Sequence, residues 1–364
     1  MKNSTLQVSP IHNFNAGPSL LPKEVFEQAA GGVLGYGSTG LSILEIGHRT
    51  PAFTAIMEEA RQLVRELMSL DSDHEVLFLH GGASTQFMQV PMNLLDEKCC
   101  AAYADTGVWS SKAIKEAKLF GKTEIVCSSK DRNYCYIPDD FAIPNDARYF
   151  HLTTNNTIYG TQWRNIPRMS IPVVADMSSD ILSRPMDFNS FDLIYAGAQK
   201  NLGVAGATLV IVNKNILGRV KRQLPTMMDY RNHIAEGSML NTPPVFAVYV
   251  SMLTLRWLKE NGGATAMAEK NDKKAELLYD EIDNNELFSA NVEGESRSLM
   301  NVCFTIKEPQ LEERFLRYCE ESGIYGIKGH RSAGGFRASL YNALPLESVE
   351  FLIETMRNFT RHVA

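Results

Sequence analysis

The sequence predicts an α/β protein whose large domain contains a mostly parallel, seven-stranded sheet covered by helices, with a smaller C-terminal α/β domain. Short and nearly continuous apolar runs alternate with amphipathic helical patterns over most of the 364 residues, which is typical of parallel strands buried on both faces. The chain is longer than one ordinary domain. After about Pro244 the alternation gives way to long helical patterns. These three observations predict the fold class.

Seven apolar runs are the candidate strands of the large domain, and each is bounded by glycine or polar residues. In chain order they are HEVLFLHGG, CCAAYADTG, TEIVCSS, RYFHLTT, IPVVADMSS, FDLIYAGA and ATLVIVNK. The clearest intervening helix spans residues 51–70, where apolar residues recur at three- and four-residue spacing. Pro51 occupies the favoured first helical position, and Thr50 before it is the expected N-cap.

The C-terminal third predicts two long helices followed by a short strand-helix-strand-helix pattern. The helices are PVFAVYVSMLTLRWLKENGG and AMAEKNDKKAELLYDEIDNN. They are followed by a strand in SLMNVCFTI, a helix from Glu308, a strand in GFRASLYNAL and a last helix from Leu346. We therefore expect an N-terminal arm over residues 1–20, a large domain over 21–260 and a small domain over 261–364.

Composition and charge exclude several classes of protein. The net charge of −6 argues against a general nucleic-acid binder. No apolar run approaches the ~20 residues that span a bilayer, and the N-terminus lacks the apolar region of a secretory signal. Six cysteines without a C-x-x-C pair predict neither a disulfide framework nor a metal site. We expect a cytoplasmic protein without nucleic-acid or membrane partners.

Two charged residues follow neighbouring candidate strands, where ligands collect in open parallel sheets. Asp176 ends the VVAD run, and Lys200 follows the YAGA run within small residues. Two interpretations remain open for this pair. It forms either a buried ion pair or a pyridoxal-phosphate site, in which the lysine forms a Schiff base and the acid pairs with the pyridine nitrogen.

Other segments could complete such a site, although each one alone has an ordinary structural explanation. The turn HGGASTQF places Ala83 and Ser84 at a helix N-terminus, which favours an anion. Trp109 is positioned to stack on a flat ring, and Thr157 follows a strand. No acid lies between Glu321 and Glu347, so a cationic segment occurs there, with Lys328, His330, Arg331 and Arg337.

Taken together, these motifs closely resemble the phosphoserine aminotransferases, which are fold-type-I (aspartate aminotransferase-like), class-V pyridoxal-phosphate enzymes. The similarity runs in order from about Phe14 to Asn342 and into the last helix. It is carried by FNAGPSLLP, GLSILEIGHR, LHGGASTQF, TGVWS, NNTIYGTQ, ADMSSDILSRP, YAGAQKNLG, NTPPVFAVY and GHRSAGGFRASLYNA.

The resemblance implies pyridoxal 5'-phosphate held as a Schiff base on Lys200, which also transfers the proton during catalysis. It implies that Asp176 pairs with the pyridinium nitrogen and that Trp109 stacks on the ring. These three are the implied catalytic residues. The remaining implied cofactor ligands are Ala83, Ser84, Thr157 and Gln199, with Asn241 and Thr242 contributed by the neighbouring subunit of a homodimer.

The resemblance also implies the substrates: an amino group moves between L-glutamate and 3-phosphohydroxypyruvate, giving O-phospho-L-serine and 2-oxoglutarate in serine biosynthesis. A second implied substrate is 4-phosphohydroxythreonine, in vitamin B6 biosynthesis. Arg337 would bind the α-carboxylate, and four residues would bind the distal anion: His48, Arg49, His330 and Arg331.

Two rival enzymes would share this fold and cofactor: an alanine–glyoxylate-type aminotransferase and a cysteine desulfurase. A desulfurase needs a cysteine on a mobile C-terminal loop, whereas Cys303 and Cys319 lie in strand and helix patterns. A non-catalytic dinucleotide-binding module would need a G-x-G-x-x-G turn after a strand, and no candidate strand is followed by one.

Overall fold

The structure, a computed structural model, describes residues 11–166, 168–292 and 294–363. Its helices begin and end close to the predicted apolar patterns. They are α1 (Lys23–Leu34), α2 (Pro51–Met68), α3 (Gly82–Leu94), α4 (Val108–Ala117), α5 (Tyr230–Ala235), α6 (Val245–Glu260), α7 (Gly263–Asn284), α8 (Glu312–Glu321) and α9 (Leu346–Val363).

The strands include every apolar run that the sequence analysis selected for the large domain. They are β1 (His12–Asn13), β2 (His74–Leu79), β3 (Cys100–Asp105), β4 (Lys122–Ser128), β5 (Ala147–Thr153), β6 (Asn155–Asn156), β7 (Thr161–Gln162), β8 (Val173–Asp176), β9 (Leu193–Gly197), β10 (Thr208–Asn213), β11 (Phe288–Ala290), β12 (Asn301–Ile306), β13 (Ile324–Tyr325) and β14 (Phe336–Ser339).

The seven predicted strands form one sheet in the order β2-β10-β9-β8-β5-β3-β4. Strand β10 runs antiparallel to both of its neighbours, and every other pairing in the sheet is parallel. The prediction of a mostly parallel seven-stranded sheet is confirmed. Because β5, β8 and β9 are parallel neighbours, their carboxyl ends meet at one edge of the sheet.

Helix α2 shows how local sequence sets an element and its packing. Thr50 caps it by accepting a hydrogen bond from the Phe53 amide (3.4 Å). The helix ends two residues before the predicted end, because Ser69 adopts a left-handed conformation with φ of 50°. Its buried face, which includes Phe53 and Val64, packs towards α6.

A second hydrophobic cluster forms around the three-stranded antiparallel sheet β11-β12-β14. Aromatic side chains contribute to it, and the ring of Phe336 contacts those of both Phe304 and Phe315. Strand β1 pairs in parallel with β13 and so joins the N-terminal segment to this part of the fold. The helix predicted from Glu308 begins instead at Glu312, because a 3-10 turn over Pro309–Leu311 precedes it.

Residues 1–10, half of the predicted N-terminal arm, lie outside the described residues. Within the residues that are described, no helix is both long enough and apolar enough to cross a membrane.

Candidate active site

A cavity opens where β5, β8 and β9 end. Asp176, the last residue of β8, lies in register with Thr153 on one side and Tyr195 on the other. Lys200 follows β9 by three residues. The cavity brings together seven of the predicted cofactor ligands: Ala83, Ser84, Trp109, Thr157, Asp176, Gln199 and Lys200.

Lys200 is the central amine of the cavity. Its Nζ donates a hydrogen bond of 2.8 Å to Oγ1 of Thr157. The pKa of Lys200 is lowered to about 8, chiefly by burial; Asp176 and Asp180 oppose the shift and Arg337 adds to it. At pH 7 about a tenth of a lysine with this pKa is the free, nucleophilic amine, far more than of an unperturbed lysine.

The small residues around Lys200 have packing reasons that the structure identifies. A Cβ at Gly197 would lie 2.6 Å from Oε1 of Gln199, so glycine leaves room for that side chain to fold back. Gly203 has φ of 153° and approaches Ser251 of α6, where a Cβ would meet Oγ at 3.0 Å. The turn is therefore pressed against α6 while Lys200 points into the cavity.

The N-terminal segment also holds this turn in place. The amide of Ser19 donates to the carbonyl of Gln199 (3.0 Å), and its hydroxyl donates to the carbonyl of Lys200 (2.7 Å). A Cβ at Gly17 would lie 3.5 Å from Cγ of Lys200. Sequence reasoning missed this support, since nothing in the pattern of residues 17–19 indicates which turn they contact.

Asp176 is a buried carboxyl group, 4% exposed. Its Oδ1 accepts from the amide of Ser178 (3.0 Å) and from the hydroxyl of Ser178 (2.6 Å). Burial raises the pKa of Asp176, and the bonds from Ser178 and the charge of Lys200 oppose this. Within the described residues no hydrogen bond reaches its Oδ2, which leaves that oxygen for a ligand.

The structure bears on the two interpretations of Asp176 and Lys200. Among the ion pairs of the described residues, with nitrogen–oxygen distances up to 4.0 Å, none joins these two side chains, and Lys200 is bonded to Thr157 instead. The ion-pair interpretation is therefore wrong for this arrangement. The gap between the two groups belongs to the cavity.

The turn HGGASTQF, which is the predicted phosphate site and is called the phosphate turn here, lies at the start of α3. Gly81 precedes the helix with φ of 94°, and a Cβ there would lie 1.9 Å from Oγ1 of Thr85, so only glycine fits. No side chain caps this helix start. The first-turn amides, including those of Ala83 and Ser84, consequently remain available to an anion.

Trp109 is fixed by the start of α4. The hydroxyl of Ser110 accepts hydrogen bonds from the amides of Thr106 and Gly107, both 3.0 Å. Lys112, one turn further along the helix, places its Nζ 4.3 Å from the centroid of the Trp109 ring. Lys112 was not among the predicted site residues.

The cationic C-terminal segment contributes Arg337 from β14. Its Nη1 donates to the carbonyl of Thr157 (3.3 Å), while its Nε is buried without a partner among the described residues. Nδ1 of His330 lies 2.7 Å from the Ser332 hydroxyl. Burial lowers the pKa of His330, as do three nearby cations, namely Arg337, Arg331 and Lys112.

Seven predicted ligands are not among the residues that line this cavity: His330, Arg331 and Arg337, described above, and His48, Arg49, Asn241 and Thr242. His48 lies before α2 and has a buried Nε2 without a partner in the described part of the chain, and Arg49 beside it is exposed. Asn241 lies before α6 and is half-buried. The carbonyl of Thr242 accepts from Nε2 of His80 (2.8 Å), next to the phosphate turn.

A buried amide cluster behind the lysine turn was also missed. The amide of Asn342 donates to Oδ1 of Asn201 (3.1 Å), and its side chain donates to the carbonyl of Leu182 (3.0 Å). Asn271 of α7 donates to Oδ1 of Asn342 (2.9 Å). These bonds connect the residue after Lys200 to the segment that follows β14. The adjacency of Asn201 to Lys200 was the one available signal.

Comparison with known proteins identifies the family. A sequence model described as aminotransferase class-V matches residues 11–352. The chain belongs to the class-V aminotransferase family. It is accordingly an enzyme, and the resemblance found in its motifs is confirmed.

Three relatives are similar over nearly the whole chain. The phosphoserine aminotransferase of Flavobacterium johnsoniae is 56% identical over 347 residues, which cover 95% of this chain and 98% of that protein. The solved structure of the phosphoserine aminotransferase of Bacillus circulans subsp. alkalophilus is 44% identical, with a TM-score of 0.95 and coverage of 98% and 99%. A PLP-bound phosphoserine aminotransferase of Trichomonas vaginalis is 36% identical, with a TM-score of 0.90 and coverage of 96% and 100%. The predicted fold class is confirmed.

Proposed function

We propose that this aminotransferase transfers an amino group between L-glutamate and 3-phosphohydroxypyruvate, giving 2-oxoglutarate and O-phospho-L-serine. The observation that carries the proposal is a cavity lined by both Lys200, with its lowered pKa, and the buried carboxyl group of Asp176, with Arg337 bonded to the carbonyl of Thr157 in the cavity lining. The relatives of 56% and 44% identity, both phosphoserine aminotransferases, support the choice of substrates.

The residues of the cavity fit pyridoxal 5'-phosphate. The uncapped start of α3 suits its phosphate, and the unbonded Oδ2 of Asp176 suits its pyridinium nitrogen. Thr153, which also lines the cavity, has a buried hydroxyl without a partner among the described residues, as expected where a polar ligand belongs. When bound, this cofactor draws electrons from the substrate Cα bond that is being broken.

Lys200 has two roles in the proposal. Its free amine, favoured by burial, holds the cofactor. With the cofactor bound, Nζ of Lys200 would be the base that accepts the proton from the substrate Cα and the acid that donates it again. Thr157, which accepts the hydrogen bond from Nζ, orients the amine for this transfer.

Arg337 binds the α-carboxylate that both amino acids and both keto acids carry. Its buried Nε has no partner in the described structure, and its Nη1 is anchored by the carbonyl of Thr157. A guanidinium held in this way offers two parallel donors to a carboxylate. His330 and Arg331 bind the distal phosphate or the side-chain carboxylate of glutamate.

We propose that His48, Arg49, Asn241 and Thr242 complete the site across the interface of a homodimer. Large apolar side chains are exposed in the segment that leads to His48: Leu34 is 90% exposed and Leu44 is 62% exposed. Such a concentration indicates a surface that another subunit covers. Sedimentation should therefore give twice the monomer mass for the wild-type protein. For Leu34→Glu the measured mass should fall towards that of a single subunit.

Further parts of the proposal concern organisation and substrate range. We place an N-terminal arm at residues 1–20, a large domain at 21–260 and a small domain at 261–364, in the cytoplasm. Two of the hydrophobic clusters support the division, since one is built from residues between Leu21 and Met267 and the other, apart from Phe14, from residues between Ala275 and Phe359. The site also fits 4-phosphohydroxythreonine, which has the same phosphate and α-amino acid groups.

The rival activities are less well supported. Burial raises the pKa of both Cys303 and Cys319 to about 12, so neither is a nucleophile of the kind that a desulfurase needs. The glycine pattern GYGSTG at residues 35–40 follows α1 and not a strand, which argues against a dinucleotide-binding module.

The experiment that tests the function offers the purified enzyme two substrate pairs, glutamate with 3-phosphohydroxypyruvate and alanine with glyoxylate. We expect O-phosphoserine from the first pair, and no product from Lys200→Ala. Faster turnover of the second pair would replace the proposal with an alanine–glyoxylate activity. Full activity in Lys200→Ala would remove that lysine from the mechanism.

A further inference from the structure

Lys112 lies next to Trp109 of the candidate active site, although neither its sequence context nor the proposed function assigns it a role. It is on α4 one turn after Trp109, which lines the cavity. Its Nζ is 4.3 Å from the centroid of the Trp109 ring. A cation at this distance is held by the electrons of the ring, so the position of the ammonium is partly fixed by a residue of the site.

The loop that carries His330 approaches the same end of α4. Ala333 packs against the same small hydrophobic cluster, Tyr134, Ile158 and Tyr159, as Val108 and Trp109 of α4 do. His330 is close enough to Lys112 for the two to interact electrostatically, as it is to Arg331 and Arg337. Four cationic or potentially cationic side chains from two separate parts of the chain thus converge beside the cavity.

Among the described residues, Lys112, Arg331 and Arg337 form no ion pair with an acid. The N-terminus of α4, which carries a partial positive charge, begins at Val108, next to Trp109. Converging cations without a counter-charge repel one another, and an anionic ligand with more than one charge relieves the repulsion.

We propose that Lys112 is a specificity-determining residue that favours the phosphorylated substrate over glutamate at this site. The inference rests on the proposed function, because it concerns the distal anion of the same substrates. A phosphate monoester carries about −1.5 to −2 charges near neutral pH, whereas a carboxylate carries −1. One ammonium therefore stabilises the bound phosphate more than the bound carboxylate. Arg337 does not discriminate in this way, because the α-carboxylate is common to both.

The test replaces Lys112 with glutamine and measures each half of the reaction separately. We expect KM for O-phosphoserine to rise by about five- to tenfold and KM for glutamate by less than about twofold, with kcat nearly unchanged. Inorganic phosphate should inhibit the variant correspondingly less. Lys115→Gln is the matched control, because Lys115 is an exposed lysine of the same helix; it should change neither KM. Lys112→Arg should restore most of the preference.

Each outcome decides one of the two proposals. Suppose that the wild-type enzyme uses O-phosphoserine. The role of Lys112 would then be overturned if Lys112→Gln changed both KM values equally or changed neither. A wild-type enzyme without O-phosphoserine activity would refute the proposed function instead. A loss of kcat for both substrates at unchanged KM ratio would show that Lys112 supports Trp109 alone and would also overturn the inference.

Discussion

Replacing Lys200 with methionine should make the cofactor-free protein more stable at neutral pH, even though it abolishes catalysis. The reason is that the folded protein holds the charged amine in a buried position, which lowers its pKa from 10.5 to about 8. This difference corresponds to about 3 kcal/mol of unfavourable free energy below pH 8. The net gain should be smaller, about 1–2 kcal/mol, for two reasons. The Lys200 residue as a whole is only half-buried, and the variant loses the hydrogen bond from Nζ to Thr157.

The sign of the pH dependence follows from the lowered pKa. Below about pH 8 the lysine is charged in the folded and unfolded states, and the full cost is present. Between about pH 8 and 10.5 the folded state releases its proton first, so the wild-type protein gains stability relative to the variant. At higher pH the amine is neutral in both states, and this contribution to the difference disappears.

The assay is urea unfolding of cofactor-free wild type and Lys200→Met at about pH 7, 8.5 and 10. Most of the advantage of the variant, about 1–2 kcal/mol at pH 7, should be lost across this range. Lys115→Met, at an exposed position of α4, is the control and should show no trend. An advantage that stays constant or grows with pH would refute the argument that burial lowers the pKa of Lys200.

Three further predictions follow from the site and the amide cluster. Asp176→Asn keeps the shape of the side chain but not its charge, so kcat should fall by a hundredfold or more, on the order of other lost electrostatic contacts; activity within about tenfold of wild type would contradict this. Arg337→Ala should raise KM for glutamate and O-phosphoserine alike, by about tenfold or more; an effect confined to O-phosphoserine would assign it to the distal anion. Asn342→Ala leaves buried partners without hydrogen bonds and should lower the free energy of unfolding in urea by about 1–3 kcal/mol. The control Asn284→Ala, at an exposed position, should lower it far less. Equal losses would refute the role of the cluster.

The strands and the two central residues could be predicted because both depend on local pattern. An apolar run of the length of one strand, followed by a polar residue, predicts that this residue lies at the carboxyl end of a parallel strand. From this pattern alone Asp176 and Lys200 are expected at the same edge of the sheet. The N-cap of α2 and the phosphate turn of α3 were predictable for the same reason, since their signals lie within a few residues.

The contacts that join distant segments could not be predicted. Ser19 supports the lysine turn across 181 residues, and Asn342 reaches Asn201 across 141 residues; neither pairing leaves a local pattern. The sequence pattern does not distinguish Lys112 from any other exposed lysine on an amphipathic helix. Only the folded structure shows that the loop carrying His330 lies near it. The choice between an ion pair and a ligand site at Asp176 likewise depended on a distance that no spacing in the sequence defines.

The central claim is that Lys200 and its surroundings transfer the amino group of O-phosphoserine. The most direct measurement adds O-phospho-L-serine, without any keto acid, to the purified enzyme and records the visible absorption of the bound cofactor while 3-phosphohydroxypyruvate is quantified by mass spectrometry. We predict a spectral shift with about one keto acid released per subunit, reversed by 2-oxoglutarate and absent in Lys200→Ala. An unchanged spectrum and no keto acid, from enzyme that does respond to alanine, would contradict the account.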